Sequence, residues 1–229
     1  MDQYPLVRSE RETLQRVLAG ASLARYGDGE FKHCADQRNI SQSYNAALSV
    51  RLRAILQESG SCMVGIPNIH SATPKAEFWK QFRGAARWLS ARPYASSFVT
   101  RPDSAPWIDT PDYWAQVESL WLGRDVTLVR GSSKGLTSDD LMGAGVVTEI
   151  IAARQHAFAD YDTLLARIGR PRVALLCLGP TATVLAVDLC ARGVHAIDLG
   201  HIALFLRKYR RGEPMTLTKD DKSHDKVAV

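Results

Sequence analysis

Apolar positions along this chain recur in two alternating rhythms. Residues 10–18 place Leu14, Val17 and Leu18 on one face of a helix that Gly20 stops. Residues 22–26 read as a short strand running into a Gly27-Asp28-Gly29 turn. Residues 45–57 are a clearer helix, with Leu48, Leu52, Ile55 and Leu56 at helical spacing. Residues 62–66 read as a buried strand closed by Pro67. The spacing then predicts one amphipathic helix over 75–89, with Phe78, Phe82, Ala85, Ala86 and Leu89 inward, and a strand over 96–100. Pro111 opens a helix carrying Trp114, Val117, Leu120 and Trp121 as core residues, and 125–130 is a strand. The apolar run 146–151 fits either type. After a helix over 162–168 comes 172–178, apolar throughout as in a strand covered on both faces. A helix over 181–191, a strand over 194–199 and a helix over 202–209 complete the series.

Strands alternating with helices imply an α/β fold: a single Rossmann-like domain with a largely parallel sheet and helices on both faces. At 229 residues, 45% hydrophobic and 23% charged, the chain suits one large domain over 1–212 that buries its core without staples. The polar segment 213–229 reads as a disordered or loosely attached tail. Cys34, Cys62, Cys177 and Cys190 show neither redox-motif nor zinc-finger spacing; Cys62 and Cys177 lie in apolar runs and read as buried free thiols. Scattered cysteines and the lack of a basic-then-apolar leader imply the cytoplasm. The net charge of +5 is mild for a nucleic-acid binder and suits phosphate-bearing small molecules or lipid-linked acceptors. The densest basic cluster, Arg207, Lys208, Arg210 and Arg211, is either a solvated helix end or a peripheral contact with the inner membrane face.

Ligands of parallel α/β sheets bind at the carboxyl ends of strands, where four loops fall. In the first, Arg25, Gly27, Asp28 and Glu30, a tight turn can bring the two carboxylates together on a hard divalent cation that keeps waters and substrate phosphates as its other ligands. Arg25 adds a charge-assisted contact to the same phosphates. By itself, Asp-Gly-Glu is equally an ordinary turn. The second loop, Gly179, Pro180, Thr181 and Thr183, opens a helix whose free N–H groups suit an anion, though a plain turn gives the same pattern. The third, Asp198 and His201, offers a base, a ligand or a ribose contact, or a simple helix cap. The fourth, Arg130, Ser133 and Lys134, is polar enough for phosphate but lacks the spacing of a nucleoside-triphosphate loop. Neither the serine-hydrolase elbow nor a zinc-protease helix motif is present.

Two segments together resemble a known family. Arg25-Tyr26-Gly27-Asp28-Gly29-Glu30 is similar to the R-[FY]-G-D-G-E signature of the bacterial GT-D type glycosyltransferases. Residues 178–186 followed by 196–202 resemble that family's second signature, and 98–102, 128–131 and 157–161 are weaker echoes. The resemblance spans roughly residues 10 to 205. It implies a metal-dependent transferase that moves a sugar from a nucleoside-diphosphate donor, typically a UDP-sugar, to a glycan or lipid-linked acceptor in cell-surface glycan synthesis. It implies Mn2+ or Mg2+ held by Asp28 and Glu30, and places Arg25, Gly179, Thr181, Asp198 and His201 in the donor site. A nucleotide-binding sensor without transferase activity would share these loops. The chain departs from the family pattern at Ser133-Lys134, where Ser-Arg is common, and at Ala203-Leu204-Phe205, where acidic residues are common. Both departures bear on the acceptor and on the catalytic base.

Overall fold

The computed structural model describes residues 4–39, 42–58, 60–70, 72–131, 135–218 and 221. Seven strands form one sheet: β1 (Leu23–Arg25), β2 (Met63–Ile66), β3 (Ala95–Ser96), β4 (Val126–Arg130), β5 (Val147–Ile151), β6 (Val173–Cys177) and β7 (His195–Asp198). Their order is β3-β2-β1-β7-β6-β4-β5, and the named strands all pair in parallel. The apolar run around 146–151 thus resolves as β5, an edge strand.

Local chemistry sets the helix boundaries. Helix α1 (Glu10–Leu18) is capped by Ser9, whose Oγ accepts the Glu12 N–H at 3.1 Å. Helix α2 (Asp28–Cys34) follows β1 directly, and α3 (Ala46–Gln57) is capped by Asn45. Helix α4 (Ala76–Lys80) is short; α5 (Pro111–Glu118) has Pro in its first turn and Thr110 as cap. Helices α6 (Tyr161–Ile168), α7 (Pro180–Ala191) and α8 (Ile202–Arg210) surround the last two strands.

Each face of the sheet carries its own apolar layer. Along β6, Val173 and Leu175 join one layer while Ala174 and Leu176 join the other; in β7, Ile197 and Ala196 divide the same way. This is the period-two alternation of a strand covered on both sides. Ala24, Ala174, Ala182, Ala186 and Ala196 bring α7 close to the centre of the sheet. Trp79, Trp114 and Trp121 are fully buried. Ser22 joins β1 to β7 across the sheet: its Oγ donates to the Val194 carbonyl at 3.0 Å and accepts the Ala196 N–H at 2.9 Å.

Three expectations need correction. Residues 75–89 are not one amphipathic helix: α4 passes into a 3-10 helix over Gln81–Trp88. Within α4 it is Trp79 that turns inward and is buried, while Phe78 is 45% exposed. The strand expected over 96–100 ends at Ser96, whose Oγ accepts the Phe98 N–H at 3.1 Å and turns the chain into a 3-10 helix over Ser97–Thr100. The described part of the polar tail is attached: Met215 and Leu217 pack on the core, and Asp221 pairs with Lys208 at 3.0 Å. No helix of the described residues is long and apolar enough to cross a membrane.

Candidate functional site

Helices α2, α7 and α8 all begin at the carboxyl ends of the adjacent strands β1, β6 and β7. Their amino ends therefore gather over one crevice, each presenting unsatisfied N–H groups. Gly179 leads into α7 with φ +54° and ψ −144°, a conformation open to glycine, and Pro180 fills the first helical position. A Cβ on Gly29 would sit 2.6 Å from Asn39 Nδ2 and 3.8 Å from Pro180 Cγ, so the first turns of α2 and α7 lie against one another.

Arg25 is the centre of the crevice. It ends β1, is 8% exposed, and its Nε donates to the Ser97 carbonyl at 3.2 Å. Its Nη1 stands 3.9 Å from Asp198 Oδ1. Any side chain at Gly200, where φ is +53°, would overlap this guanidinium. Asp198 ends β7, is buried, and accepts the Gly200 N–H at 3.0 Å. Glu30, also buried, accepts the Gly27 N–H at 2.7 Å and so closes the first turn of α2.

Both carboxyls hold their protons more tightly than usual. Burial, then the charge of Asp198, pushes Glu30 up to about 7. Burial pushes Asp198 up to about 6, against the pull of Arg25. Burial lowers the Arg25 pKa, although Asp198 and Glu30 oppose this. Two buried carboxylates thus share one buried cation, an arrangement that structures concentrate at functional sites.

The structure separates the two carboxylates of the Asp-Gly-Glu motif. Asp28 and Glu30 lie in the first turn of α2 rather than in a tight turn; residues two apart on a helix point about 200° apart. Asp28 is half-exposed and pairs with Lys32 at 3.1 Å, while Glu30 turns inward toward Asp198. Thr183 is fully buried, and its Oγ1 donates to the Arg25 carbonyl at 2.9 Å, which ties α7 to β1. Thr181 is buried in the same turn, and His201 is exposed at the cap of α8. Arg130 ends β4 and grips Glu149 of β5 at 2.8 Å, on the far side of β6. Ser133 and Lys134 lie outside the described residues. Cys62 is buried and Cys177 partly so, both as free thiols.

The residue pattern did not single out the ion-paired group Lys75, Arg101 and Asp103, or Ser97, which holds Arg25. The one signal was the Thr100-Arg101-Pro102 echo. The basic cluster on α8 faces carboxylates of its own chain: Arg207 meets Asp140 at 2.5 Å, Arg210 meets Glu118 at 2.7 Å, Arg211 meets Glu213 at 2.5 Å, and Lys208 is buried against Asp221. An open depression of about 1200 Å³ lies at the β3 edge and has Arg87, Arg92 and His70 in its lining but no carboxylate.

A family model described as glycosyltransferase GT-D fold matches residues 23–226. The probable glycosyl transferase Gly of Streptococcus gordonii is 31% identical over 206 residues, covering 80% of this chain and 30% of that protein. Glycosyltransferase GlyD of Streptococcus pneumoniae is 31% identical over 220 residues, covering 86% of this chain and 26% of that protein. The chain thus spans less than a third of the length of these curated relatives. A solved domain of unknown function 1792, described as having a distinct glycosyltransferase fold, superposes with a TM-score of 0.82 at 30% identity, over 93% of this chain and 84% of that one. A glycosyltransferase of the same domain type from Streptococcus sanguinis superposes with a TM-score of 0.80 at 29% identity, over 92% and 86%.

Proposed function

Because the chain belongs to the GT-D-fold glycosyltransferase family, we propose that it transfers a sugar from a UDP-sugar to a glycan or lipid-linked acceptor in cell-surface glycan synthesis. The observation that carries this reading is the buried Arg25–Glu30–Asp198 cluster beneath the amino ends of α2, α7 and α8. A diphosphate is the ligand such a place suits. Helix N–H groups and one guanidinium would meet its oxygens.

Among the described residues no three His, Cys, Asp or Glu side chains gather closely enough to hold a metal unaided. Ions of the magnesium and manganese type need only one or two carboxylates and take waters and substrate phosphates for the rest. The surplus of two buried carboxylates over one guanidinium fits such a cation. Glu30 would hold it from within, and Asp28 would join it by turning away from its pair with Lys32. When bound, the ion supplies charge neutralisation for the diphosphate leaving group.

The remaining work falls to the chain itself. Arg25 orients the donor phosphates, fixed from behind by the Ser97 carbonyl. Asp198 or His201 orients the acceptor hydroxyl and takes its proton; His201 is the exposed one, and Asp198, ionising near 6, is the one whose affinity for a proton suits neutral pH. The Arg207–Arg211 cluster lends no support to membrane contact, since its cations meet Asp140, Glu118, Glu213 and Asp221. The test is turnover of UDP-sugars with and without added manganese. Release of UDP that depends on the metal is expected; tight UDP binding without any sugar release, with metal and a panel of acceptors present, would point to a sensor module instead.

A further inference from the structure

Of the five tryptophans, four are spoken for by the fold and one is not. Trp79, Trp114 and Trp121 are fully buried, and the first two pack on the Phe98 and Tyr209 rings. Trp88 has the Arg87 guanidinium 4.2 Å over its ring. Trp107, in the 3-10 helix Pro106–Ile108, is 47% exposed. Among the described residues neither a ring nor a cation covers it.

The edge of that ring is nevertheless held. Its Nε1 donates to Glu10 Oε2 at 2.9 Å. Glu10 opens α1, is 4% exposed, and takes the Ser96 hydroxyl on its other oxygen at 2.7 Å. Ser96 is fixed in turn: its Oγ accepts the Phe98 N–H, and its own N–H donates to Thr13 Oγ1 at 3.0 Å. Burying a carboxyl group is costly unless its oxygens are bonded, and here one of the two bonds goes to a side chain at the surface. An exposed side chain ordinarily keeps its rotamer freedom; Glu10 removes it from Trp107 before anything binds.

The anchor stands at the same end of the sheet as the crevice. Ser96 is the last residue of β3, at its carboxyl end, and the strands are parallel. The next residue, Ser97, gives its carbonyl to Arg25 Nε at 3.2 Å. Residues 96 and 97 thus hold Trp107 through Glu10 and Arg25 directly. Beyond Trp107 the chain continues through exposed polar residues, Asp109 and Thr110; Asp109 gives one oxygen to Trp114 Nε1 at 2.8 Å.

A bare, immobilised indole face suits a ligand with an apolar face and a polar rim. A pyranose ring has both, since its axial C–H bonds make one face apolar and its hydroxyls point outward. A protein partner calls for a wider apolar patch, yet Trp107 is the only exposed large hydrophobic residue in the stretch 79–121. We propose that Trp107, fixed by Glu10, is the platform on which a sugar ring of the acceptor glycan stacks. The proposal rests on the transferase reading for the word acceptor; stacking of a glycan on the ring does not depend on it.

The test screens the full chain on an array of immobilised neutral oligosaccharides. The strongest binder is then titrated into parent and variants while tryptophan emission is recorded. The parent is expected to retain a glycan, and its emission to shift to the blue as the exposed indole is covered. Trp107→Ala is expected to weaken the glycan about tenfold or more and to leave UDP affinity within about twofold. Trp107→Phe keeps a ring but loses the bond to Glu10. It is expected to weaken the glycan about threefold and to abolish the emission shift, and it decides the matter if the alanine variant does not fold. A parent that retains no glycan would overturn the proposal, as would equal glycan affinity in parent and alanine variant. Loss of UDP affinity in place of glycan affinity would also overturn it, by moving Trp107 to the donor half. Failure of UDP to bind the parent would sink the donor reading, and the glycan titration would still decide on the platform.

Discussion

Glu30 joins the sequence motif to the chemistry, and its surroundings make two opposing demands on it. Its Oε2 accepts the Gly27 N–H at 2.7 Å, which a glutamine oxygen can also do. Its charge, however, is buried beside Asp198. A carboxyl raised from its ordinary value to about 7 keeps its proton in the folded state where the unfolded chain has already released it. Stability from this group is therefore greatest at acid pH and is lost as pH rises toward and through 7; Asp198, raised to about 6, acts in the same direction. The ligand-free protein is expected to melt at a higher temperature at pH 5.5 than at pH 8. Glu30→Gln should melt higher than the parent at pH 8 while losing transferase activity by about 10²-fold or more. A variant that keeps full activity would remove Glu30 from the mechanism, and a lower melting temperature at pH 8 would contradict the burial argument. At this scale the sequence was informative about identity but not about direction. Arg25, Glu30, Asp198 and His201 were all named from their loops, and all four stand at the crevice. That Glu30 faces Asp198 while Asp28 faces Lys32 depends on α2 starting one residue after Gly27, and an Asp-Gly-Glu triplet reads as a turn just as well.

Helix α7 shows what an element contributes beyond its residues. It lies buried over the sheet, with its amino end at the crevice and alanines along the buried face. Thr183 fastens that end to β1 through the Arg25 carbonyl, so the helix end and the backbone that carries the guanidinium are joined by one hydrogen bond. Thr183→Val keeps the shape and leaves the carbonyl of a buried strand without this partner. A loss of about 1–3 kcal/mol is expected in denaturant unfolding. UDP affinity should fall as well, because Arg25 and the α7 amino end lose their common anchor. Unchanged stability would show that the tie carries no load. The boundaries of α1, α3, α6, α7 and α8 and the start of α5 were legible within a residue or two, because caps, prolines and glycines act locally; α5 ends at Glu118, short of the expected Leu120 and Trp121. The stretch 75–89 was not: its apolar spacing is helical throughout, and nothing local marks the passage from α4 into the 3-10 helix at Gln81 or the burial of Trp79 against Phe98.

The whole molecule is one parallel sheet with unequal strands. β6 and β7 lie inside it with apolar layers on both faces, whereas β3 has two residues and β5 is an edge with Ile151 56% exposed. Local opening follows burial and pairing. Native-state hydrogen exchange should find the amides of β6 and β7 slowest and those of β5 fastest among the five-residue strands; protection in β5 equal to that in β6 would mean that something covers this edge in solution. The chain's pattern of apolar and polar positions, with its glycines and prolines, was enough to determine an α/β domain with a parallel sheet, since side-chain period and turn chemistry operate within a few residues. The two signature segments were enough to place it among the GT-D glycosyltransferases. Only the tertiary structure decided that β1 lies beside β7 and that Glu30 and Asp198 share Arg25. Those are meetings of residues far apart in the chain, 173 positions for Arg25 and Asp198, set by strand order. Strand order results from the packing of two apolar layers, which no local spacing encodes.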